Sequence, residues 1–255
     1  MSAAGEKMRS WQHVDELDPQ VAEALLSWTL SLADTKHRIG MRTSEWINGT
    51  PALEGAVGAA AITQDELGHA RSYYSMLRDF PGAPDTIGFE NDLEARDEYY
   101  NPRILNKPWD SWLDVIAVNV LLDRALSIAV EATGSSAFAP LKQRTAKILQ
   151  EESYHRLFGD SWLARLAQGD EGTRRRMQES LERFWEATQA WFGPDEDPAT
   201  NQLHSAAVLD ATPDEMRSRW FNEVSALLGA QDLAIPAGQP DWPGWDSVYR
   251  DVPAE

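Results

Sequence analysis

Cysteine is absent from the 255-residue chain. That excludes disulfides, iron–sulfur clusters and thiolate metal sites, and leaves histidine and carboxylate as the strong metal ligands. It also fits a reducing compartment, so a cytoplasmic location is the expectation. Basic residues are scarce: 23 Lys and Arg stand against 41 Asp and Glu, a formal net charge of -18. A nucleic-acid-binding face is therefore not expected. A polyanionic ligand such as a coenzyme A ester would need a local basic patch or a partner chain. No apolar run approaches the length of a membrane span, so no membrane partner is expected. The stretch from Met1 to Trp11 carries no apolar segment of the kind a signal peptide needs. No Gly-x-Gly-x-x-Gly loop is present, so nothing reads as a flavin or nicotinamide site.

What is there is helical pattern. Asp18-Pro19 reads as a helix start, with Val21, Leu25, Trp28, Leu32 and Ile39 recurring at helical spacing to about residue 42. Asn48-Gly49 and Pro51 mark a turn. A second helix is expected over 51–78, with an Ala- and Gly-rich start suited to close helix approach. Residues 81–108 are polar and Pro-containing, and a short helix over Glu94 to Tyr100 is expected within them. Further helices are expected over 111–132, 138–167, 171–192 and 214–228. The organisation this predicts is an N-terminal tail (1–17), a helical domain (18–228) and an extended C-terminal tail (229–255). In that tail Trp242 and Trp245 read as packing anchors.

Two stretches carry the chemistry. Gln64-Asp65-Glu66-Leu67-Gly68-His69 and Gln150-Glu151-Glu152-Ser153-Tyr154-His155 each hold a Glu and a His three residues apart, in a chain with five His. On a helix, residues i and i+3 share a face, so carboxylate and imidazole point to one place. A single Glu-x-x-His is weak, but a pair on two helices is the pattern of ferritin-like bundles. There the other two helices each add a carboxylate, and one long crossover joins the two hairpins. Asp123 lies inside the apolar run Val118-Asn119-Val120-Leu121-Leu122-Asp123-Arg124. An aspartate there needs a partner, a metal or a water-filled cavity. The expected fold class is all-α: a ferritin-like antiparallel four-helix bundle with additional C-terminal helices.

Thr43-Ser44-Glu45-Trp46, Asp65-Glu66-Leu67-Gly68-His69-Ala70-Arg71 and Glu151-Glu152-Ser153-Tyr154-His155-Arg156 resemble the phenylacetic acid degradation family over about residues 20–235. Its members are the ferritin-like subunits of a multicomponent phenylacetyl-CoA ring epoxidase. Length and the Ser-Glu-Trp signature resemble the smaller C-type subunit, which is structural. The two Glu-x-x-His motifs and Asp123 resemble the catalytic A-type subunit. The resemblance implies iron as cofactor (zero, one or two ions), with Glu66, His69, Asp123, Glu152 and His155 as metal ligands. It also implies a separate reductase, an acyl-CoA substrate met through the complex, and either an A-type partner or a homodimer. A catalytic di-iron monooxygenase in its own right and a metal-binding protein without oxygenase chemistry are the alternatives.

One position departs from the catalytic pattern. The catalytic subunits carry a Glu on the first helix, ten residues before the Trp of the following turn. Here that position is Lys36. Glu45 should face away from it, about half a turn round the helix, and Asp34 and His37 could serve only if the helix were rotated. The expectation is that the Lys36 ammonium sits in the bundle core, in the space of a metal, within hydrogen-bonding reach of Glu66 or Glu152.

Overall fold

The computed structural model describes residues 10–84 and 98–253. Among them there is no β-strand, only two isolated bridges. Helix α1 (Pro19–Glu45) begins where Asp18 accepts a bond from the Gln20 N–H and Pro19 occupies the first turn. Helix α2 (Leu53–Leu77) returns antiparallel beside it. Helix α3 is continuous over 112–131, but an α segment (Trp112–Val118) passes through a π turn (Asn119–Asp123) into a second α segment (Arg124–Glu131). Helix α4 (Ala139–Ala167) completes the four-helix core. This all-α arrangement is consistent with a ferritin-like bundle, and the helix ends fall within three residues of those the sequence predicts.

Helices α5 (Glu171–Phe192), α6 (Pro198–Ser205) and α7 (Pro213–Gly229) cover the bundle from one side. α5 packs on α3, α6 on α1 and α7 on the end of α3. Helix α6 was not expected from the sequence. Its start, Asp197-Pro198, repeats the capping chemistry of Asp18-Pro19, with Asp197 accepting from the Ala199 and Thr200 N–H groups. The expected short helix over Glu94 to Tyr100 falls largely outside the described residues, and 98–100 are not helical. After α7 the chain is mostly extended, with a short helical turn (Trp242–Gly244) and a tight turn over 247–250 closed by the Asp246–Asp251 bridge. There Trp245 Nε1 donates to the Ala190 carbonyl at 2.8 Å, and buried Arg250 donates from Nε to the Trp191 carbonyl at 2.6 Å.

Two glycines set how closely the core helices approach. A Cβ on Gly40 of α1 would sit 3.1 Å from the Glu66 Cβ of α2. A Cβ on Gly159 of α4 would sit 2.0 Å from Asn119 Oδ1 in the π turn. Both contacts flank the same interior layer, so the glycines let the carboxylate-bearing backbones close around it. The π turn is supported from outside: Trp220 of α7 donates Nε1–H to the Leu121 carbonyl at 2.9 Å. Such a turn inserts an extra residue, and Asp123 at its end is buried against Lys36.

Candidate metal centre

Each helix of the core delivers a lysine or an acid to one buried cluster: Lys36 from α1, Glu66 from α2, Asp123 from α3 and Glu152 from α4. Lys36 Nζ lies 3.1 Å from Glu66 Oε1, 2.8 Å from Asp123 Oδ1 and 2.5 Å from Glu152 Oε1. Lys36 is fully buried. Its reach therefore extends to three carboxylates, where the sequence suggested one or two. Asp34 and His37 turn elsewhere. Asp34 accepts from Tyr74 Oη–H and from the Tyr100 N–H, and His37 stacks on Tyr99. Glu45 pairs with Arg42 at the surface.

The histidines bridge the two motifs crosswise. His155 Nδ1 lies 3.2 Å from Asp123 Oδ2 and 3.4 Å from Glu66 Oε1, while its Nε2 lies 3.4 Å from Asp65 Oδ2. His69 Nε2 lies 2.9 Å from Glu151 Oε2, and its Nδ1 lies 3.3 Å from Glu152 Oε1. Each imidazole thus spans a buried carboxylate and a partly exposed one. Sequence reasoning passed over Asp65 and Glu151. The signal was present, since an acid immediately precedes the Glu of each motif. It also passed over Ser127, whose Oγ donates to Glu152 Oε2 at 2.6 Å, and Asn119, whose Nδ2 donates to Asp123 Oδ2 at 3.1 Å.

The electrostatics follow from this packing. Burial alone would pull the Lys36 ammonium down. The Asp123, Glu152 and Glu66 carboxylates outweigh it and hold Lys36 well above the ordinary lysine range. Burial would likewise raise Asp123, but Lys36 and His155 hold it well below the usual carboxylate range. Glu152 is lowered despite burial and the neighbouring Asp123 charge, chiefly by Lys36. Glu66 goes the other way: burial and Asp123 push it up to about 7. Burial pulls His155 down, but its bonds to Asp123 and Glu66 raise it to about 11. Two cations, Lys36 and His155, therefore face two firmly ionised carboxylates, with Glu66 sharing a proton near neutrality. A nearly neutral cluster of this kind is what burial tolerates.

Glu66, Asp123, Glu152 and His155 offer ligand atoms that lie within 4.8 Å of one another, a buried acidic and histidine set that could hold a metal ion. Oxygen and imidazole donors suit iron or manganese. His69 touches this set through Glu152. The ammonium, however, uses the carboxylate lone pairs that a metal would use, and the first helix adds a cation where a second metal would need an anion. With Lys36 seated, the residues do not fit a dinuclear centre. The second oxygen of Glu66 has no hydrogen-bond partner among the described residues.

Fold and site together define a ferritin-like helical protein whose core carries a carboxylate–histidine cluster closed by a lysine. The chain belongs to the phenylacetic acid catabolic protein family, whose model matches residues 8–252. It is 29% identical over 193 residues to the A-type component of the 1,2-phenylacetyl-CoA epoxidase of Escherichia coli (strain K12), covering 75% of this chain and 62% of that component. It is 28% identical over 217 residues to the C-type component of the same enzyme, covering 84% and 85%. The chain thus spans less than two thirds of the length of the A-type relative, and the two identities do not separate the subunit types. Among the described residues no helix is long and apolar enough to cross a membrane.

Proposed function

We propose that this chain belongs to a multicomponent epoxidase acting on an aromatic acyl-CoA of the phenylacetyl-CoA type, and that it fills the structural C-type role beside a catalytic ferritin-like chain. The observation that carries this reading is the Lys36 ammonium at 2.5 to 3.1 Å from three buried carboxylates. The cation neutralises the carboxylates as a metal would, but it offers no open coordination position and no redox couple. The cluster then serves the bundle as an ionic core that fixes the register of four helices. Glu66, His69, Asp123, Glu152 and His155 are the ligand positions of the family pattern; here the three carboxylates partner Lys36 and the two histidines pair with the carboxylates. Catalysis, the dinuclear iron and the contact with the reductase belong in this reading to the partner chain.

The test is reconstitution with the second ferritin-like chain of the same organism and its reductase. A pair of irons should follow the partner chain alone, and epoxidation should survive Lys36→Arg in this chain. Iron bound to this chain in the active complex, with turnover abolished by replacing Glu152, would establish the catalytic reading instead.

A further inference from the structure

The four most exposed large apolar side chains of the described residues lie on one face. They are Leu53 (79%) and Val57 (64%) on α2, and Tyr154 (63%) and Leu157 (66%) on α4. The two helices run antiparallel in contact. Phe158 packs where a Cβ on Gly58 would stand, and Glu54 pairs with Arg165 at 2.9 Å. Val57 and Leu157 each adjoin a residue of that contact in sequence, and both are exposed. The strip continues along α2 through Ala61, Gln64 and Gly68 and along α4 through Gln150, Ser153 and Ser161, all exposed and uncharged. A quarter of the chain is charged, so an uncharged outer strip over both Glu-x-x-His helices is a departure from the rest of the surface. Beyond the apolar half, the same face opens into a groove of about 310 Å³ between Asp65, Arg144, Lys147 and Glu151 that reaches buried His69.

We propose that this α2/α4 face docks a second, homologous ferritin-like chain of the same complex, and that docking covers the groove leading to His69. The inference rests on the epoxidase-component reading above and adds the surface. The occupant follows from two observations. The relatives are two different components of one enzyme, and this chain is about equally identical to each, so a complex of this kind holds two chains of one sequence type. A net charge of -18 opposes pairing of this chain with its own copy. A homologous chain brings the equivalent pair of helices, and two such faces bury one another as a four-helix contact with the apolar side chains central and the Glu54–Arg165 pair at the rim.

The absence of native cysteine supplies the test. Val57→Cys, Leu157→Cys and, on the far side of the bundle, Glu179→Cys of α5 each give a chain with one thiol. Each is labelled with a maleimide alone and with the purified second ferritin-like chain of the same organism. Labelling at 57 and 157 should slow by at least about tenfold in the complex, as expected where an interface core excludes water, while labelling at 179 is unchanged. Leu157→Glu should weaken the complex without moving the melting temperature of the isolated chain. A stable complex in which 57 and 157 label as freely as in the isolated chain would overturn the surface assignment and leave the epoxidase-component reading standing. Protection that grows with the concentration of this chain alone would replace the proposed occupant with a second copy. Failure to form any complex would remove the epoxidase-component reading and this inference with it.

Discussion

Two parts of the interior solve the burial problem in opposite ways. Between α1, α2, α3 and α4 the core is ionic: Lys36, Glu66, Asp123, Glu152 and His155 are each no more than 1% exposed. Between those helices and the α5–α7 cover it is aromatic. Trp185 lies 4.8 Å from Trp220, Trp28 lies 6.1 Å from Trp191, and Phe192 lies 6.3 Å from Trp220 by ring centroids. The aromatic layer gains from every contact it makes, because large apolar surface leaves water. The ionic layer must first offset the cost of stripping water from charges, and it survives only while each charge has its partner. Stability is thus supplied by the cover, and a defined chemical arrangement is held in the bundle.

The comparison is broken first from the ionic side. Lys36→Met leaves three carboxylates without their central cation and should cost about 3–5 kcal/mol at neutral pH. The loss should shrink as pH falls toward 5, because carboxylates without the ammonium take up protons in the folded state. Parent Asp123 and Glu152, held low by Lys36, instead lose stability in acid. Urea unfolding at several pH values reads this directly. A loss that does not depend on pH would mean that Lys36 acts by packing alone.

Trp185→Ala on the aromatic side should cost a comparable amount, about 3–5 kcal/mol, through lost burial and a cavity. Here the cost should be the same from pH 5 to pH 8, since no titrating group is uncovered. A pH-dependent loss measured in the same unfolding series would show that the two cores are coupled.

The third effect is a slope. His155 is raised in the folded state from the ordinary histidine value to about 11. The folded state therefore binds its proton more tightly than the unfolded chain, and the stability this adds is complete below about pH 6.5 and lost as pH rises through about 11. The difference in unfolding free energy between the parent and His155→Gln should narrow over that window, by at most about 1.4 kcal/mol per pH unit. Parallel curves would mean that His155 is not protonated in the fold.

Much of this arrangement is legible in the sequence because it is carried by local rules. Asp18-Pro19, the Glu-x-x-His spacings and the apolar period place the core helices, while Lys36 is singled out only by the family resemblance, through its distance from Trp46. The rest depends on tertiary contacts that no local pattern encodes. The π turn at Asn119–Asp123 comes with a Trp220 indole arriving from 99 residues away and with an α4 backbone brought close by Gly159. The crosswise pairing of His69 with Glu151 and of His155 with Asp65 needs the antiparallel register of α2 and α4. Helix α6 was legible in Asp197-Pro198 but is short, and its apolar period is too brief to stand out.

The central claim is that a side-chain cation stands where the family pattern would place a metal. The most direct measurement is iron per chain, by elemental analysis after anaerobic loading and desalting, on the parent and on Lys36→Glu side by side. The account predicts at most one iron in the parent and a higher content in Lys36→Glu, which supplies the sixth ligand as a fourth carboxylate and removes the competing charge. Two irons per parent chain would contradict it.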